Sequence, residues 1–117
     1  MPMDRDRIDA YLPLRPVEFN ILLSLAAGER HGYGIIQDIE ARGDSAVPDV
    51  GNMYRALARM VENGLIEATR PTDPGDERRN YYRLTVRGLR VAKAEAQRLQ
   101  TLLRAARVGG LLEKKTT

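Results

Sequence analysis

The segment from Asp49 to Thr85 constrains the fold most, because it encodes a short two-faced helix and, directly after it, a hairpin with a polar tip. Asp49 is a good helix N-cap: its carboxylate accepts orphan N–H groups of a first turn and sits at the positive end of the helix dipole. From there Met53, Ala56, Leu57, Met60 and Val61 repeat at helical spacing on one face, while Asn52, Arg55 and Arg59 share the opposite one. Asn63-Gly64 is a stop signal, since both residue types tolerate the left-handed conformation that closes a helix. Two extended segments are predicted next, Leu65 to Arg70 and Arg78 to Leu84, joined by the turn formers Pro71-Thr72-Asp73-Pro74-Gly75-Asp76-Glu77, which are too polar to bury. Within the second segment Tyr82 and Leu84 share the core face, leaving Tyr81 and Arg83 outward.

Upstream, the 117-residue chain reads as helices. Ile8, Tyr11 and Leu12 are spaced for a short helix that Pro13 ends. Pro16 suits the first position of the next helix, where its missing N–H costs nothing; Arg15 before it is a poor cap, so burial must hold this helix. Phe19, Ile21, Leu22, Leu23, Leu25 and Ala26 cover nearly all its sides, the pattern of a central core helix. After a predicted turn at Glu29-Arg30, His31-Gly32-Tyr33-Gly34 opens a helix with Ile35, Ile36 and Ile39 inward, ending near Gly43. Gly32 and Gly34 each cost ~1 kcal/mol in a helix relative to alanine, which implies close approach of another backbone, whether protein or phosphate. Helix, helix, turn, helix, hairpin is the order of a winged helix-turn-helix. The expected fold class is therefore α+β, mostly α, with residues 1–84 as the winged-helix unit.

Thr85 caps a last helix over residues 85–108, which Gly109-Gly110 ends, with 109–117 as a tail. Leu89, Ala92, Ala96, Leu99, Leu103 and Ala106 step by 3, 4, 3, 4 and 3, the heptad seam of a helix that pairs with a helix. Such a seam points to a C-terminal dimerisation helix, joined by Ile8 and Tyr11 of the N-terminal segment, in preference to a helix packed back on its own domain.

Charge is segregated along the chain. Residues 1–50 carry five Lys/Arg against nine Asp/Glu, residues 51–90 eight against five, and residues 91–117 six against two. The net charge of +3 therefore hides a basic half beginning at the two-faced helix, which favours approach to nucleic acid in one orientation. A mean hydropathy of −0.43, no apolar run near the ~20 residues of a membrane span, and no signal-peptide pattern point to a cytoplasmic protein. The absence of cysteine fits that compartment and leaves no thiolate chemistry.

The candidate DNA-binding residues are Asn52, Tyr54, Arg55 and Arg59 on the helix and Arg78 and Arg79 beside the hairpin tip. Guanidinium groups bond guanine bidentately or clamp phosphate; asparagine reads adenine or simply helps cap its helix. Tyr54, at the margin of the apolar face, reaches a phosphate or half-fills the core. Arg78 and Arg79 suit phosphate or the narrow minor groove, while Asp73, Asp76 and Glu77 keep the tip itself off DNA. His31 is the only histidine and fits a structural hydrogen-bonding group. With no second histidine, no cysteine and no carboxylate cluster there is no metal site, no cofactor and no catalytic constellation to expect. Two functions remain: a sequence-specific regulator binding double-stranded DNA, or a winged-helix adaptor whose exposed helix binds protein.

These residues resemble the PadR family of bacterial transcriptional regulators. The resemblance runs from about Leu14 to Gly88 and rests on four pieces in order: His31-Gly32-Tyr33 with Ile35-Ile36; Gly51-Asn52-Met53-Tyr54-Arg55-Ala56-Leu57; Glu62-Asn63-Gly64-Leu65-Ile66; and Arg78-Arg79 with Tyr81-Tyr82-Arg83-Leu84-Thr85 and Gly88. With one C-terminal helix the chain looks like the short subfamily. The resemblance implies a homodimer on a palindromic operator, usually a repressor, often relieved by a small aromatic or cationic effector. Arg15 stands where the family has a Ser or Thr cap, and Asn52 where Thr or Ser is usual. The last helix lacks the tryptophan on which some members stack flat drugs, which bears on effector control.

Overall fold

A computed structural model describes residues 7–43, 49–69 and 80–113. After a 3-10 turn at Ile8–Tyr11 come α1 (Pro16–Ala26), β1 (Arg30–His31), α2 (Gly32–Ala41), α3 (Val50–Glu62), β2 (Ile66–Thr69), β3 (Tyr81–Leu84) and α4 (Val86–Val108). The strands form an antiparallel sheet in the order β1-β3-β2. The fold is mostly helical, with the three helices and small sheet of a winged helix and one long helix after it.

The helix boundaries follow local chemistry. Asp49 caps α3 and Thr85 caps α4, each accepting a backbone N–H three residues on. At the end of α3 only Gly64 is left-handed (φ 75°); Asn63 stays right-handed. Arg15 has no acceptor with which to cap α1, but Glu18 reaches back to accept the Arg15 N–H at 2.9 Å, one half of a capping box. Burial is therefore not the only support of α1.

The core joins Ile21, Leu22 and Leu25 of α1, Ile35 and Ile39 of α2, Met53, Leu57 and Met60 of α3, Ile66 and Tyr82 of the sheet, and Val91 of α4. α1 is not enclosed on all sides as its composition suggests: Leu23 is 41% exposed and Phe19 only half-buried. The predicted turn at Glu29-Arg30 is corrected too. Arg30 lies in β1, paired with Tyr82, and His31 with Tyr81; β3 has a free edge there that two residues of extended chain satisfy. Of the predicted hairpin strands, Leu65 and Asn80 stand outside β2 and β3, while Arg70, the turn and Arg78–Arg79 fall outside the described residues.

α4 lies back on its own domain through Gly88, Val91 and Glu95, one residue round from the predicted seam. Gly88 permits that approach: a Cβ there would stand 1.8 Å from the Leu65 carbonyl oxygen. Thr85 locks the same corner, its N–H donating to that carbonyl and its hydroxyl to the neighbouring Gly64 carbonyl at 2.6 Å.

Candidate nucleic-acid interface

α3 presents its polar residues in a hydrogen-bonded series. Asp49 Oδ1 accepts the Asn52 N–H at 2.7 Å, and its Oδ2 accepts the Asn52 side-chain N–H at 3.2 Å. Asn52 Oδ1 in turn accepts from Arg55 Nη2 at 2.5 Å. Asn52 and Arg55 are both exposed. The cap thus orients the amide, and the amide orients the guanidinium, so the two readings of Asn52 merge: it is tied to the cap and still displayed.

Arg59 is placed differently from its neighbours on that face. Its Nε lies 3.5 Å from Glu18 Oε2 of α1, and the side chain is half-buried rather than outward. Tyr54 is 44% exposed; its ring lies over Gly32, where any Cβ would come within 2.5 Å of the hydroxyl oxygen. Within the chain it is this tyrosine ring, not another protein backbone, that comes close to Gly32. Gly34 has only ordinary contact distances, none below 3.6 Å.

His31 has the structural role its isolation suggested. Its Nδ1 accepts the Gly34 N–H at 3.0 Å and caps α2, which places the ring proton on Nε2. The ring stacks on Tyr33 and meets Tyr81 edge-on at 5.3 Å, joining the start of α2 to the wing. On the wing Arg83 faces Glu67 across the strands, Nε to Oε1 2.5 Å, so its charge is engaged within the chain. Arg78 and Arg79 lie outside the described residues.

The predicted seam divides. Ala92 packs partly against the core of its own chain, as do Ile8 and Tyr11. Ala96, Leu99 and Leu103 instead line, with Phe19, Gln97 and Gln100, an open groove of about 720 Å³. Leu89, Leu102 and Leu103 are exposed.

A family model described as the transcriptional regulator PadR-like family matches residues 21–94, from the second half of α1 into the first part of α4. The chain belongs to the PadR-like family of transcriptional regulators. Solved PadR structures share its fold. A PadR-like regulator of Bacillus cereus superposes with a TM-score of 0.68 at 27% identity, covering 85% of this chain and 93% of that one. A PadR family regulator of Clostridium difficile gives 0.68 at 26%, covering 77% and 93%, and a transcriptional regulator of Clostridium thermocellum 0.66 at 27%, covering 89% and 94%. Escherichia coli MarR, at 20% identity and a TM-score of 0.70, shares the fold alone. No curated protein sequence matches the chain significantly. Among the described residues of this PadR-like chain, no helix is long and apolar enough to cross a membrane.

Sequence reasoning missed two residues of the site and its support. Glu18 gave a signal in its position, the third residue of a helix that Pro16 opens. Glu95 gave a fainter one: in a basic helix it stands three residues before Arg98, whose guanidinium grips it with two bonds, 2.6 and 2.8 Å.

Proposed function

We propose that this chain is a cytoplasmic, sequence-specific DNA-binding regulator that acts as a homodimer on a palindromic operator, as a repressor. The Asp49–Asn52–Arg55 series carries the reading. A guanidinium held at the exposed start of a groove-sized helix loses less rotamer freedom on bonding guanine O6 and N7 than a free one would. Asn52 and Arg55 are the base readers; Tyr54, Arg59, Arg78 and Arg79 serve the phosphates.

Arg55→Ala should weaken binding to the operator by roughly 1–3 kcal/mol and relax preference at one base pair per half-site. The half-sites should lie ~10 bp apart centre to centre, or a multiple of that. A gel shift on the DNA upstream of the chain's own gene, against bulk competitor, checks this. An equal loss on operator and random duplex would move Arg55 from reading to holding. No specific band at all would favour the protein-binding adaptor.

The mate covers the exposed stripe of α4, with residues 85–108 as the dimerisation helix and 1–84 as the DNA-binding unit. Ile8, Tyr11, Leu89, Ala92 and Ala96 contribute what their own fold leaves uncovered. Leu99→Asp with Leu103→Asp would put charges into an apolar contact, and sedimentation should then show monomers. An unchanged oligomer would refute this stripe as the interface. The groove between α1 and α4 is the place for a small-molecule effector. With no aromatic residue in α4, that effector finds no ring on this helix to stack on.

A further inference from the structure

Arg59 is held in a way that no purely structural ion pair requires. Its closest approach to Glu18 is 3.5 Å, beyond the normal hydrogen-bond range. Its Nε is buried and makes no hydrogen bond, yet 38% of the side chain stays exposed, against 13% for Glu18. Glu18 has its other oxygen committed to the Arg15 N–H, so it is fixed at the start of α1 and cannot move to tighten the pair. The guanidinium is therefore near an anion, incompletely bonded, and able to move outward.

Its position along α3 points to where it would go. Arg59 lies seven residues beyond Asn52 on the same face, a rise of about 10.5 Å. With the start of α3 at base edges, Arg59 lies about two turns further along the helix, toward the end that leaves the bases and passes the phosphates.

We propose that Glu18 holds Arg59 as a reserve phosphate contact: on DNA, Arg59 exchanges the Glu18 carboxylate for a backbone phosphate, and Glu18 thereby sets how tightly the chain grips DNA of any sequence. The inference rests on the DNA-binding reading above. It gives Glu18 a positioning role that touches no nucleotide.

The test uses the full chain and a random-sequence duplex, titrated by anisotropy from 50 to 200 mM salt. Glu18→Gln keeps an oxygen for the Arg15 N–H and removes only the charge. It should bind about fivefold tighter with the slope of log K against log salt unchanged, since Arg59 reaches the phosphate with or without the Glu18 charge, whereas Arg59→Ala should flatten that slope by about 0.9, the loss of one phosphate contact. Combined with Arg59→Ala, the same substitution should change neither quantity. A gain that survives in the Arg59→Ala background would be general charge removal and would overturn the proposal. So would a slope unaltered by Arg59→Ala, or weaker binding of Glu18→Gln with a lowered melting temperature, which would make the pair a strut. A second measurement needs no Glu18 variant: the Arg59 Nε–H resonance, identified by its loss in Arg59→Lys, should shift when duplex is added to the wild-type chain. A resonance that stays in place on saturation overturns the exchange. If wild type binds no duplex at all, the DNA-binding reading falls and this inference with it, whereas wild-type binding with an affinity unaltered by Glu18→Gln removes the inference alone.

Discussion

Gly88→Ala should remove a large share of the chain's stability margin. The added methyl would stand 1.8 Å from the Leu65 carbonyl oxygen and 2.9 Å from its carbon. Neither partner can yield cheaply. Leu65 is fixed by its N–H bond to the Met60 carbonyl at the end of α3, its own carbonyl accepts from the Thr85 N–H at 3.2 Å, and the Thr85 hydroxyl donates to the neighbouring Gly64 carbonyl at 2.6 Å. Thr85 in turn caps α4 by accepting the Gly88 N–H at 2.9 Å. Relieving the clash means lifting the start of α4 off the sheet, which breaks the cap and exposes Val91 together. Overpacking of a tight core costs 1–3 kcal/mol and occasionally more; with backbone on the receiving side the expected cost is about 3 kcal/mol or above. For a domain of this size that lowers the melting temperature by roughly 10–20 °C. Calorimetry or circular dichroism decides it, and a melting temperature within a degree or two of wild type would show that α4 does not pack against Leu65.

The second large effect is at Glu95, a carboxylate only 1% exposed on the inner face of α4. Its Oε2 accepts the Leu14 N–H at 3.1 Å, tying down the segment that leads into α1, while Arg98 grips both oxygens. The Arg98 hydrogen bonds are the largest influence on its acidity and hold Glu95 below the ordinary glutamate value of 4.5; burial opposes them, and the Leu14 N–H and the charge of Arg98 assist. Glu95→Leu leaves the buried Leu14 N–H without an acceptor, a loss of about 1–3 kcal/mol. Arg98, partly in water, rehydrates and adds little to that. The sign with pH follows from the direction of the shift. A carboxyl group more acidic folded than unfolded stabilises the protein above its unfolded value, and that contribution drains away as pH falls through the folded value. The difference in urea stability between wild type and Glu95→Leu should therefore be level at pH 6–7 and shrink as the pH falls below 4.5. A difference independent of pH would mean that the Glu95 charge does not support the fold.

Much of this protein is fixed by short-range chemistry and is legible in the order of its residues. Asp49 and Thr85 had to cap helices, because each is a short polar side chain directly before a periodic apolar run. The apolar faces of α2 and α3, Ile35, Ile36 and Ile39 and then Met53, Ala56, Leu57 and Met60, are buried as their spacing requires. The inward Tyr82 and outward Arg83 follow from the alternation of a strand. Asn52 and Arg55 stand exposed together because residues three apart share a helix face.

Other features depend on partners distant in the chain, and no local pattern encodes those. β1 exists only because β3, fifty residues on, offers Arg30 and His31 an edge to pair with. Gly32 is a glycine because the Tyr54 ring lies on it, and Gly88 because Leu65 passes beneath. Glu95 looks like a solvated charge on a basic helix until the fold brings Leu14 to it across 81 positions. Arg59 repeats at the same spacing as Asn52 and Arg55, yet Glu18 of α1 draws it inward. Helical periodicity sets the direction a side chain leaves the backbone, and only the packing of the helices sets what it meets.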